Sequence, residues 1–167
     1  MDRPAPTPDG PPGSIADVAA GLEREFAELG DWDARIARVL ALGRALPALD
    51  PAFRTEDHKV KGCQSQVWLR VDHDPRSGRL RLAADSDALL MRGLLAVVLR
   101  LYDDRGPGEI LAHPADVLDR LAVSQSLAPN RANGLHLVIK RIHAAALDAP
   151  GGHLSAEGGT YDAAQPR

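Results

Sequence analysis

One side chain in this sequence is equipped for nucleophilic chemistry, and it occurs once. Cys63 lies in the run Val60-Lys61-Gly62-Cys63-Gln64-Ser65-Gln66-Val67-Trp68. A single thiol cannot close an internal disulfide, and alone it offers too few thiolates to hold zinc or an iron–sulfur cluster. What remains is nucleophilic attack or the carriage of a group. Gly62 frees the backbone just before the thiol. Lys59 and Lys61, two of the three lysines in the chain, are expected to favour the thiolate, which is the reactive form. A lone cysteine often serves only as a small buried hydrophobe. Its setting among Lys, Gly, Gln and Ser, outside any apolar run, argues for use.

Other polar groups are less decisive. Asp85-Ser86-Asp87 has the residue types that cap a helix N-terminus and suit its dipole. The same residues would also make a polar docking edge for a partner. Arg131, with Asn133 and Gly134, opens the last helix, where a positive charge opposes the dipole. It is either held by a carboxylate or turned toward the thiol, or it is a solvated surface arginine. Of the six histidines, His58 lies five positions before Cys63, but no further ligands follow at metal-binding spacing. No metal centre is expected. A Cys–His–Asp hydrolase is poorly supported, because nothing marks one histidine as the base.

The chain that must position these groups has 167 residues, 44% of them apolar, enough for one domain with a real core. A net charge of -3 gives no sign of a nucleic-acid binder, which would show a concentrated basic face. One cysteine excludes a disulfide-stapled scaffold and suggests a reducing compartment. The start, Met1-Asp2-Arg3-Pro4, does not resemble a signal peptide. The most apolar stretch, Ala88 to Leu101, is interrupted by Arg92 and Arg100 and is too short to span a bilayer. A cytoplasmic protein without a membrane segment is expected. Residues 1–13 and 150–167 are rich in Pro and Gly and read as disordered tails around a domain at 14–149.

Within that domain the apolar spacing changes twice. Ser14 caps a helix with Ile15, Val18, Leu22, Phe26 and Leu29 on one face, ended by Gly30. Asp31 caps a second, carrying Trp32, Ile36, Val39, Leu40, Gly43 and Leu46 up to Pro47. Val67, Leu69 and Val71 then alternate with polar residues, and Arg79 to Leu82 alternates again beyond the turn Asp74-Pro75-Arg76-Ser77-Gly78. That predicts an antiparallel hairpin, with His58 to Lys61 as a short edge and Cys63 at the bend between them. A long core helix follows, capped by Asp85 or Ser86, with Asp87 in its first turn and Leu90, Leu94, Val97, Val98 and Leu101 inward. Two short helices, Pro107 to Leu111 and Pro114 to Leu121, precede a last helix from about Asn130 to Leu147. The order is that of an α+β fold.

Val60-x-Gly62-Cys63-Gln64-Ser65-Gln66-Val67-Trp68 resembles the signature of the SufE family, sulfur acceptors that work with a cysteine desulfurase in iron–sulfur cluster assembly. Three more segments match in order. They are Trp32 with Arg35, Leu42-Gly43-Arg44 and Leu46-Pro47; then Asp85-Ser86-Asp87-Ala88 with Arg92-Gly93-Leu94; then Leu127-x-Pro129-x-Arg131-x-Asn133-Gly134-Leu135. The resemblance covers about residues 15 to 147. Ala128 departs from it, since the family usually carries Ser or Thr there, whose hydroxyl would cap the helix. The resemblance implies a small antiparallel sheet packed against helices, as in SufE and the IscU-type scaffolds. It implies that Cys63 takes persulfide sulfur from a cysteine desulfurase, stimulates that enzyme, and hands the sulfur to a downstream iron–sulfur scaffold. Lys61, Gly62, Gln64, Ser65, Gln66, Asp85, Asp87 and Arg131 would support the thiol or the partner. The protein itself would be no enzyme and need no cofactor, the desulfurase carrying pyridoxal phosphate; a homodimer is compatible with this. The competing reading is a thiol redox protein in which Cys63 is a peroxidatic or sensor cysteine.

Overall fold

The structure, a computed structural model, describes residues 13–113, 116–120 and 129–152, without the side chains of 117, 120 and 129–132. Most of the expected tails, the start of the last helix at Ala128 and the end of the second short helix lie outside the described residues. Helix α1 spans Ile15–Glu28. The Ser14 side chain accepts from the Asp17 N–H, and the Asp17 carboxylate accepts from the Ser14 N–H, so two free helix donors are satisfied. Ala19, Leu22 and Phe26 form its buried stripe. Gly30 then takes a positive φ of 76°, a conformation that costs other residues more. Helix α2, Trp32–Ala45, is capped by Asp31, whose carboxylate accepts from the Ala34 N–H. Trp32 was expected on the apolar face but is 39% exposed, because the cap places it in the first turn, outside the helix packing.

A 3₁₀ turn, Pro51–Phe53, leads to the hairpin. Strand β1, Val67–His73, pairs antiparallel with β2, Leu80–Ser86, in the register Val67 with Ser86 through His73 with Leu80. Val67, Leu69, Leu80, Leu82 and Ala84 are buried, the alternation of a sheet with one face on the core. The expected edge is present as one bridge, Lys59 with Trp68. Helix α3, Leu89–Tyr102, is the centre of the core, with nine buried residues. It packs along α2, against β2 and across α1. Short helices α4, Pro107–Ala112, and α5, Val117–Arg120, lead to α6, Pro129–Asp148, which packs on α4, α3 and β1. Leu135, Val138, Ile139 and Ile142 face inward. Two packed layers, a hairpin and helices, make an α+β fold.

The close pairing of α2 and α3 depends on two glycines. A Cβ at Gly93 would stand 2.0 Å from the Val39 carbonyl oxygen, and one at Gly43 2.6 Å from the Leu89 carbonyl oxygen. Both obstacles are backbone, so relief requires moving a helix. Gly93→Ala is expected to destabilise the fold by about 2 kcal/mol, the scale of overpacking a tight core. Urea denaturation checks this; a midpoint unchanged from wild type would mean the helices separate freely.

Candidate functional site

Cys63 sits in a loop closed at its base by backbone pairing. The Val60 N–H donates to the Val67 carbonyl at 2.8 Å, and the Asp87 N–H to the Gln66 carbonyl at 3.2 Å. The Asp87 carboxylate accepts from the Gln66 N–H at 3.0 Å. Inside this closure the chain turns at Gly62, whose φ is 96°. A side chain there would be strained, and its Cβ would meet Leu137 Cδ1 at 2.8 Å. The thiol that follows is half-buried and donates weakly to the Gly134 carbonyl of α6, Sγ to oxygen 3.7 Å. A Cβ at Gly134 would stand 3.1 Å from Sγ. Gly62 and Gly134 thus give the thiol its seat from two directions.

Lys61, Gln64 and Gln66 are exposed around the loop and Ser65 is half-buried. Lys61 is not what sets the thiol's chemistry. Burial pushes the Cys63 pKa above its ordinary 9.0, because desolvation penalises the thiolate. The expectation that the two lysines would favour the thiolate is therefore corrected. Lys59 leans to Glu56 instead, 3.8 Å away.

The acidic segment is also corrected. Asp85 and Ser86 end β2, and α3 starts later, with Ala88 at its N-cap and no side-chain cap. Ser86 Oγ accepts only from the Ala88 N–H, at 3.2 Å. Asp85 is fully buried. Its carboxylate takes Arg92 Nη1 on one oxygen, and Arg54 Nη2 at 2.6 Å with the Leu49 N–H at 2.9 Å on the other. Arg92 also donates to the Gly43 and Leu46 carbonyls. A buried carboxylate with these partners cannot be a docking edge. It ties α2, the 47–54 segment, β2 and α3 together. Only Asp87, exposed beside Gln66, is available to a partner. Arg131 falls in the first turns of α6, and its side chain lies outside what is described.

Sequence reasoning missed Arg54 and gave Arg92 no role beyond the motif. Arg54 also lies over the Trp68 ring, 5.7 Å from its centroid, and Arg70 over Phe53 at 3.7 Å. These partners are far apart in the chain, so no local pattern marks them. Among the described residues no three His, Cys, Asp or Glu side chains gather as a metal site. Among them, too, no helix is long and apolar enough to cross a membrane.

The sequence matches the family described as SufE: Fe-S metabolism associated domain over residues 20–146, which includes the cysteine loop, the buried carboxylate and the α6 glycine. The chain belongs to the SufE family. It is 41% identical over 122 residues to an uncharacterized SufE-like protein of Rhizobium etli, spanning 71% of this chain and 82% of that one. The fold is similar to the solution structure of a hypothetical protein from Thermus thermophilus, with a TM-score of 0.63 at 17% identity, covering 81% of this chain and 94% of that one. That likeness concerns the fold alone. Membership in SufE places the protein in iron–sulfur metabolism.

For a SufE thiol seated in this way, the pH dependence has a definite sign. The folded pKa is raised, so alkylation of Cys63 by iodoacetamide should follow a pH profile displaced above that of an unfolded control. The stability that burial of the neutral thiol contributes is present below the unfolded pKa and is lost as pH rises through the folded one, beyond 9.0. A profile lying below the control would contradict the desolvated seat.

Proposed function

We propose that Cys63 accepts the persulfide sulfur of a cysteine desulfurase and carries it to a scaffold on which iron–sulfur clusters are built. The observation that carries this reading is the sole thiol of the chain, held on a glycine turn over Gly134, with burial raising its pKa. A carrier needs reactivity only when docked on its donor. Once deprotonated there, the Cys63 thiolate attacks the outer sulfur of the desulfurase persulfide. A bond forms from Cys63 Sγ to that sulfur, the donor's own sulfur–sulfur bond breaks, and the donor leaves as a thiolate. The proton of Cys63 passes to a base or to water, and no electrons are gained or lost overall. With no second cysteine in the chain, nothing resolves the persulfide internally. Removing sulfur frees the desulfurase, so the protein would raise its turnover while being no enzyme itself. The pyridoxal phosphate belongs to the desulfurase, and this chain's part needs no cofactor.

A redox sensor or peroxidase is the weaker reading. Such cysteines are accessible and of low pKa, and burial moves Cys63 the other way. Mass spectrometry after incubation with a cysteine desulfurase and L-cysteine separates the two. A gain of one sulfur atom on the Cys63 peptide, reversed by a thiol reductant, supports the carrier. No such gain, with oxygen added by peroxide alone, rejects it.

A further inference from the structure

The segment that leads to the thiol is held on one side by β1, through the Leu69 N–H on the His58 carbonyl and the Val60 N–H on the Val67 carbonyl, each at 2.8 Å, and on the other by α6. Gly134, Leu137 and Arg141 recur at three- and four-residue spacing, which puts them on one helix face. Gly134 lies under Cys63, and Leu137 lies against Gly62. Further along, the Arg141 guanidinium reaches the chain just before the cysteine loop. Nη2 donates to the Asp57 carbonyl at 2.6 Å, and Nη1 to the Lys59 carbonyl at 2.9 Å and the His58 carbonyl at 3.4 Å. Three consecutive carbonyls converge on one cation. The turn that presents them is helix-like, with the His58 N–H on the Thr55 carbonyl and the Lys59 N–H on the Glu56 carbonyl, each at 3.2 Å. Carbonyls at the end of such a turn point onward, where a cation is favoured. The His58 carbonyl is shared with the Leu69 N–H of β1, while Arg141 makes its shortest bonds to the Asp57 and Lys59 carbonyls.

Cys63 is only four residues past Lys59, and the intervening chain bends at Gly62. β1 fixes this approach along the sheet, and the hold on the carbonyls from α6 fixes how near it lies to that helix, where the thiol rests. We propose that Arg141 is a positioning residue for Cys63: by holding the carbonyls of residues 57–59 on α6, it sets the thiol over Gly134. Its biological consequence rests on the carrier reading of Cys63, but the geometric claim concerns the thiol alone. Arg141 gives the loop a fixed starting point from which a docked partner draws the sulfur.

The test compares the full chain with Arg141→Met, which keeps the apolar stem and loses every donor, and Arg141→Lys, which keeps one cationic head. Rates of Cys63 alkylation by iodoacetamide are measured across pH, below the melting transition of each variant. Arg141→Met should react several-fold faster at neutral pH, with its profile moved down toward that of an ordinary thiol. Arg141→Lys should fall between the two. A general loss of stability would lower the melting temperature without displacing the profile of the folded protein. Should Arg141→Met fail to fold, Arg141→Lys carries the test. Profiles superimposed on wild type overturn the proposal. Persulfide loading of the wild-type chain is followed in parallel; its absence would reject the carrier reading and leave the alkylation result standing.

Discussion

Cys63→Ser is expected to abolish sulfur acceptance while leaving the fold in place. Serine has nearly the volume of cysteine, and its hydroxyl can donate to the Gly134 carbonyl that the thiol now faces at 3.7 Å. The site is half-buried in a loop, so stability should stay within about 1 kcal/mol of wild type. Oxygen cannot carry the persulfide, so the loss of transfer should be complete. Desulfurase turnover with L-cysteine, measured with the variant and with wild type beside a thermal melt, checks both halves. Full stimulation by the serine variant would show that docking alone activates the enzyme and that Cys63 carries nothing.

Asp85→Ala is expected to produce the largest loss of stability among single polar changes, about 3 kcal/mol, as for removing one partner of a buried ion pair. The carboxylate is fully buried and serves two arginines and the Leu49 N–H. Without it, the Arg92 guanidinium, 19% exposed, keeps only its carbonyl acceptors, and the Leu49 N–H loses its partner in a buried setting. Arg54 contributes less, since it is 38% exposed and can turn to water. Urea denaturation should show the drop. A change within about 0.5 kcal/mol, as for an ordinary surface substitution, would mean that the carboxylate does not hold the four segments together.

The same carboxylate shows where local reading fails. In sequence, Asp85-Ser86-Asp87 before an apolar run is a helix start, and each residue type suits that role. In the fold, β2 continues through Ser86 because Asp85 pairs with Trp68 in register and is drawn inward by Arg92 from one side and Arg54 from the other. Those partners come from 7 and 31 residues away. Capping is a competition between nearby groups, and two guanidiniums at a buried position win it.

The helices, the hairpin and its turn, and the choice of Cys63 were legible in the sequence, because each depends on neighbours a few positions apart. Ser14 and Asp31 cap where they stand, and Val67 and Leu69 alternate within one strand. A thiol that occurs once cannot be misplaced, and the motif around it is contiguous. Its environment was not legible. The lysines beside Cys63 in the chain suggested a stabilised thiolate, yet the pKa is set by burial against α6, more than seventy residues downstream. Arg141, which holds the approach to the loop from across the fold, leaves no mark on the local pattern for the same reason. Desolvation and long-range hydrogen bonds depend on which surfaces meet, and only the tertiary structure brings those surfaces together.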